Sequence, residues 1–249
     1  MIADWHFYAL AIPAVILTGL AKGGFSGMGA LSLPILAFAI DPVRAAAILL
    51  PILIAQDVVG VWAFRRHVDW RLLGWMLPGA LLGIWLGYRF AASVSAEGVM
   101  AAVGAISLLF GIYRLCAAHL ALPGEPRRWP EWVGSLFGIV AGFTSQIAHA
   151  GQPPFQLWVL ARDLPRDIMI GTTAIFFATV NLIKVAPYFA LGQFSSANLM
   201  TSAALLPLAL VSTMAGVWLV HRLSPARFLT AIYWLMILVG VALIAEAVA

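Results

Sequence analysis

Apolar residues in this chain run together in blocks of about 20, the length a helix needs to cross a bilayer, and the blocks are divided by glycine, proline and basic residues. The first block is interrupted at Thr18-Gly-Leu-Ala-Lys22-Gly-Gly-Phe-Ser26-Gly-Met-Gly29, which sets five glycines and one lysine in twelve residues. Glycine frees the backbone from the helix, so the pattern predicts a broken hairpin over 7–40, ended by Asp41-Pro42. Uninterrupted helices are expected over 45–64, 72–90 and 99–120. Gly79, Gly83 and Gly87, four residues apart, give the middle one a face on which another helix can pack closely.

After a proline- and arginine-rich linker at 123–131 the order recurs. A second hairpin is expected over 132–160, broken at Ala141-Gly-Phe-Thr-Ser-Gln-Ile-Ala-His149-Ala-Gly-Gln-Pro-Pro154, and helices over 168–189, 199–220 and 228–245. The recurrence is visible in letters: Gly83-Ile-Trp-Leu-Gly-Tyr-Arg-Phe90 aligns with Gly216-Val-Trp-Leu-Val-His-Arg-Leu223, and Asp41-Pro-Val-Arg44 takes the place of Leu164-Pro-Arg-Asp167. The expectation is an all-α polytopic membrane protein of two structural repeats, residues 1–122 and 132–249, each a re-entrant helical hairpin plus three transmembrane helices.

Composition agrees. With 63% hydrophobic residues, 10% charged and a mean hydropathy of +1.00, the 249-residue chain has no room for a soluble domain. A net charge of +4 would suggest nucleic acid in a soluble chain, but here most basic residues fall in short loops and read as topology signals, so no nucleic-acid partner is expected. Cys116, the lone cysteine, excludes an internal disulfide. Met1 to His6 lacks the basic region of a cleavable signal peptide, so the first apolar run is expected to stay in the mature protein.

Lysine and arginine decide between two topologies. If each hairpin returns to its starting side, the loops at 65–71, 114–131, 161–167 and 221–227 share one face and hold 10 of the 14 basic residues, while the loop at 192–198 on the other face holds none. If each pair crosses once instead, the basic residues divide about evenly. The positive-inside rule favours hairpins. Each half then crosses an odd number of times, so the repeats are inverted and both termini are periplasmic.

Backbone released from helical hydrogen bonding is tolerated at membrane depth only where it is buried in protein or lines a cavity. The two breaks are therefore expected to face each other and form a substrate site. Helix N-termini beginning at Gly27-Met-Gly29 and Gly151-Gln-Pro-Pro154 would offer N–H groups and partial positive charge to an anion. Lys22 would add a fixed charge. A lysine at the centre of a membrane helix costs about 3 kcal/mol on insertion scales, which an anion would offset; the alternative is that Lys22 snorkels to the interface. The candidate binding residues are Lys22, Gly23, Gly24, Ser26, Gly27, Gly29, Ser145, His149, Gly151 and Gln152. Asp57, roughly 20 Å into its helix, is a candidate proton carrier or partner of Lys22, the alternative being a structural polar contact with Gln56 or a neighbouring helix; Gln56 and Asn181 join it as cavity-lining candidates. His149 could bind substrate, titrate, or pin its hairpin. No residue is assigned to catalysis or to a metal, and no cofactor is expected.

Gly24-Phe-Ser26-Gly27 also has the form GxSG, and His149 could complete the serine–histidine pair of a rhomboid intramembrane protease. Against this, Gln152 stands where the rhomboid AHxxG pattern has its last glycine, Pro153-Pro154 follows, and an inverted duplication has no role in a protease.

Lys22-Gly-Gly-Phe-Ser-Gly-Met-Gly29 with Pro34, Leu50-Pro51, Gln56-Asp57, His67-Val-Asp-Trp70 and Leu77-Pro-Gly-Ala80 resemble the sulfite exporter TauE/SafE (TSUP) family. Ala141-Gly-Phe-Thr-Ser145, Ala148-His-Ala-Gly151 with Pro153-Pro154, and Phe176-Phe177 with Asn181 and Lys184 resemble its second repeat. One departure is Gln152, where the family's His-Ala-Gly-Gly-Pro-Pro pattern has glycine; a side chain there either narrows the site or adds a hydrogen-bond donor. The resemblance implies alternating-access transport of small sulfur-containing anions (sulfite, thiosulfate, or two- and three-carbon sulfonates) across the bacterial inner membrane. The partners implied are that anion and the bilayer; proton coupling through Asp57 or His149 and a homodimer are left open. Transport of another small oxyanion or carboxylate, or a channel-like pore, is the alternative.

Topology is open to a direct test in a background lacking Cys116. Single cysteines in the 161–167 loop should resist a membrane-impermeant maleimide in intact cells, while those in the 192–198 loop should label. Labelling of the 161–167 loop from outside overturns the hairpins and the inversion together.

Overall fold

The computed structural model describes the chain except residues 1, 3, 26, 120–128, 161, 221, 223–225 and 249. The described residues form ten α-helices and no strand: α1 Trp5–Lys22, α2 Ser32–Ala37, α3 Pro42–Phe64, α4 Trp70–Ser93, α5 Ala96–His119, α6 Val133–Ala148, α7 Gln152–Leu160, α8 Arg166–Ala190, α9 Ser196–Leu219 and α10 Ala226–Val248. A 3-10 turn over Met28–Leu31 leads into α2. Asp4, Asp41, Asp69 and Ser195 each accept an N–H from the first turn they precede, satisfying donors a helix start leaves open. Those caps explain why α3, α4 and α9 begin two to three residues before the expected apolar limits.

Among the described residues six helices, α1, α3, α5, α8, α9 and α10, are long and apolar enough to cross a membrane, which makes this a multi-pass membrane protein. That set differs by one from the expected spans. Four glycines, three tryptophans and two arginines among its 24 residues keep α4 from qualifying, and α1, expected as a hairpin leg, qualifies by its 18-residue length. Arg114, counted with the basic loop at 114–131, lies inside α5, with Nε donating to the Tyr233 hydroxyl at 3.0 Å, while Arg71 and Arg166 fall in the first turns of α4 and α8. The expected linker falls mostly on residues 120–128, outside the described residues.

Both broken pairs fold back on themselves. Ser32 Oγ donates to Ala14 O at 2.8 Å and Gly29 faces Thr18 and Ala21, so the turn and α2 retrace α1. Gly151 lies against Ala141 and Ser145 while Trp158 covers Gly134, so α7 retraces α6. The starts and finishes of these hairpins sort to two ends of the bundle. At one end Ile2 N–H donates to Thr201 Oγ1 at 3.1 Å and Arg44 Nε to Asn198 Oδ1 at 3.0 Å. At the other, Arg71 pairs with Glu131 at 2.8 Å, Asp69 N–H donates to Thr172 Oγ1, Arg162 to Trp129 O and Arg166 to Val220 O.

Glycine seams hold the helices together. The face expected on α4 meets α6: a Cβ at Gly79 or Gly83 would run into the carbonyls of Ser135 or Ile139, and one at Gly138 or Gly142 into those of Met76 or Ala80. Gly19, Gly23 and Gly216 bring α1 against α9 in the same manner, and Gly104, Gly111 and Gly240 bring α5 against α10. Small residues let backbones approach where lipid offers no hydrophobic drive to association. α3 completes the bundle, packing on α8 and α9. The outer surface is apolar, with Trp62, Leu109, Leu182 and Leu238 exposed as a lipid-facing surface requires.

Gly83→Val should lower the melting temperature of the detergent-purified protein, by the ~1–3 kcal/mol typical of overpacking. Gly74, on the same helix, has open space around its Cβ position. Gly74→Ala should therefore leave the melting temperature unchanged or raise it, and equal losses in both variants would overturn the seam as the holding device.

Candidate functional site

A cavity of about 50 Å³ lies where the two hairpin tips meet α3 and α8. One water needs roughly 10–15 Å³ on this measure, so the space suits a solute of a few heavy atoms. The first hairpin lines it with Lys22, Gly24 and Gly29, and the second with Ser145, His149 and Gln152. Leu49 and Leu53 of α3 and Thr173, Phe177 and Asn181 of α8 close the walls.

The tips touch directly. Gly27 N–H donates to Gln152 Oε1 at 2.9 Å, which leaves the amide nitrogen of Gln152 free to donate into the cavity. Backbone geometry at both tips is unusual: Gly24 and Gly27 take φ of 122° and 102°, which glycine alone adopts readily. His149 caps α6 with φ of 51°, in the left-handed region few side chains enter.

Lys22 ends α1, and its Nζ lies 2.5 Å from Asp57 Oδ1 of α3. Asn181 Nδ2 of α8 donates to the other carboxylate oxygen at 2.6 Å, so Asp57 ties hairpin, α3 and α8 together. Of the readings left open for Asp57, the geometry shows the contact with Lys22 and a polar contact with a neighbouring helix through Asn181. The cost argument for Lys22 changes accordingly: Asp57 offsets the buried charge without an anion. Lys22 Nζ also lies 5.4 Å from the centre of the Phe177 ring, and as part of the cavity wall it has N–H groups to spare for a solute.

Ser145 and His149 are joined by a residue that was not among the candidates. Lys184 of α8 is fully buried and donates to Ser145 O, Ser145 Oγ and His149 Nδ1 at 3.0, 3.1 and 2.6 Å. The other ring nitrogen, His149 Nε2, lies 2.9 Å from Ala46 O. The signal that could have found Lys184 was the one that found Lys22. A lysine inside an apolar helix is costly wherever it falls, and Lys184 stands one helical turn from Asn181, on the same face.

The helix N-termini contribute less than expected. Pro153 and Pro154 occupy the first turn of α7 and have no N–H, and the N–H of Gly27 is taken by Gln152. α2 has only six residues. Donors to the cavity are therefore side chains, chiefly Lys22, Gln152 and Asn181, because Thr18, Ser32 and Thr173 give their hydroxyl protons to backbone carbonyls. Gly23 packs against Gly216, Gly27 lies beside Tyr233, and Gly151 is wedged against Ala141 and Ser145, so these three shape the tips from outside the cavity wall. Gln56 is buried apart from the cavity, its Nε2 donating to Val15 O at 3.3 Å. Ser26 lies outside the described residues. Both ring nitrogens of His149 are engaged, so it has none to offer a serine nucleophile.

The cavity is thus a small, donor-rich chamber between two folded-back hairpins, with a cation in its wall. No curated protein and no solved structure matches the chain. The family model described as Sulfite exporter TauE/SafE matches residues 11–243, nearly the whole chain with both hairpins. Members of that family are transporters and not enzymes, which removes the protease reading. The chain belongs to the sulfite exporter TauE/SafE family of membrane transporters.

Proposed function

We propose that this protein is a secondary transporter that carries small sulfur-containing anions (sulfite, thiosulfate, or two- and three-carbon sulfonates) across the bacterial inner membrane by alternating access. The observation that carries this reading is the cavity between the tips, where Lys22, Gln152 and Asn181 converge as donors on a space of a few heavy atoms. A sulfite or sulfonate group accepts from all three and brings the negative charge that Lys22 attracts. A zwitterion such as taurine gains less.

The architecture behind the reading is a pair of inverted repeats, 1–122 and 132–249, with both termini periplasmic. Exchange of partners supports it. If each element of the first half is swapped for its counterpart in the second, α4 on α6 becomes α9 on α1, and α3 on α9 becomes α8 on α4, while α5 on α10 and α3 on α8 map onto themselves; all of these pairs pack. The contacts at the bundle ends agree: the first hairpin enters from the end that holds Ile2 and Arg44, and the second from the end that holds Glu131 and Arg162. Alternating access in such folds is the rocking of one repeat against the other around a fixed midplane site.

Binding should follow sulfonate chemistry. Calorimetry on the purified protein should find sulfite, thiosulfate and sulfoacetate bound more tightly than taurine or acetate, and preference for acetate would move the assignment to carboxylates. Lys22→Met alone strands Asp57 and should destabilise the protein by about 3–5 kcal/mol, as when one partner of a buried pair is removed. Lys22→Met/Asp57→Asn should regain most of that stability yet bind anion more weakly by about 1.5–3 kcal/mol, the range for hydrogen bonds to charged groups. Wild-type affinity in the double variant would take Lys22 out of the site.

A further inference from the structure

Lys184 is a second basic side chain beside the cavity, and the anion site as described makes no use of it. Its three N–H groups meet three acceptors, Ser145 O, Ser145 Oγ and His149 Nδ1, so the ammonium is satisfied without a carboxylate. Among the described residues the ion pairs are Lys22–Asp57 and Arg71–Glu131. Asp57 is the acid that faces Lys184, and it is already held by Lys22 and Asn181.

His149 determines where protons can sit. The carbonyl of Ala46 only accepts, so Nε2 carries a hydrogen and Nδ1 presents a lone pair to Lys184. One proton lies along the 2.6 Å line between Nδ1 and Nζ. A second has no place there, because an imidazolium N–H and an ammonium N–H would point at each other. The pair therefore carries one positive charge or none. The other charged and titratable groups that face it are Lys22 of α1 and Asp57 of α3, which cancel, and Tyr188 of α8, whose ring stacks on His149 at 6.1 Å and whose hydroxyl donates to Gln146 O. Whether this interior is cationic or neutral rests on that single proton.

We propose that Lys184 and His149 form a one-proton site behind the substrate cavity, and that loading a small anion is linked to uptake of one proton by this pair. The inference rests on the anion-site reading above and adds the coupling ion to it. Ser145 and His149 both line the cavity while holding Lys184, so the charge lies one side chain behind the solute. An uncompensated cation in an apolar interior is unfavourable; an anion in the cavity removes that penalty, and the proton in turn strengthens the anion's hold, since linkage is reciprocal. An N–H bond forms at the neutral Lys184 amine as an O–H bond of hydronium breaks and water is released. The same bond breaks, and the proton returns to water, once the anion has left on the other side. A monoanion would then cross with one proton and no net charge.

Calorimetry with 2-hydroxyethanesulfonate, a monoanion that does not titrate near neutrality, decides the matter on the full-length purified protein. Titrations in buffers of differing ionisation enthalpy, over about pH 5 to 9, should show proton uptake rising to about one per anion bound. Uptake should vanish in Lys184→Gln, which can still hydrogen-bond, and persist in Lys22→Met/Asp57→Asn. The reverse pattern would make Asp57 the proton site and overturn the proposal. So would binding to the wild-type protein with no uptake at any pH, an outcome that needs no variant to fold and leaves the anion site standing. Failure of this and every other small oxyanion to bind would overturn the functional reading, and the inference with it.

Discussion

A charge placed at membrane depth must find a partner on another segment, and the contact between Lys22 and Asp57 is how this chain meets that requirement. The lysine ends α1, the aspartate sits within α3, and Asn181 of α8 completes the carboxylate's coordination. One electrostatic contact therefore fixes the first hairpin tip against the two helices that form the far wall of the cavity. Buried ion pairs seldom stabilise a protein more than apolar residues of the same volume would. Their presence here accords with use rather than with stability, because the pair leaves a cation with unspent N–H groups facing a space the size of a small anion.

The glycine seams supply the complementary constraint. Where α4 meets α6 and α1 meets α9, carbonyls of one helix occupy the space a Cβ would need on the other, so these pairs have little freedom to slide. Among the described residues the hydrogen bond between the tips is of another kind, from the Gly27 N–H to the Gln152 side chain. Close packing is thus concentrated along the helices and is sparser at the tips.

Much of this was legible in residue order because membranes punish exceptions. The glycine and lysine cluster at 18–29 and the Gly–Gln–Pro–Pro break at 151–154 stand out against apolar blocks, and both mark hairpin tips that meet. The four-residue glycine spacing on α4 announced a close-packed face, although only the fold could name α6 as the partner. What stayed hidden depends on side-chain geometry. Gln152 was legible as a side chain at an unusual place, but its use as an acceptor for Gly27 depends on the distance between two segments 125 residues apart. The prolines after it were read as part of a donor-bearing helix start, and their missing N–H groups reverse that reading. Lys184 was named with the second-repeat motif but not assigned to the site, because it has no glycine beside it and its partners come from α6.

The seam between α1 and α9 also constrains how the protein can be made. Asp57 follows Lys22 by 35 residues, so the lysine's charge can be matched soon after α1 enters the bilayer. Ser212 of α9, whose hydroxyl reaches back to Val15 O, emerges 197 residues after its acceptor. At typical synthesis rates of about 5–20 residues per second, α1 waits roughly ten to forty seconds with its glycine face turned to lipid or to the insertion machinery. The charge at the first hairpin tip can therefore be matched well before the seam with α9 can form, and a chain terminated before α9 would lack that seam.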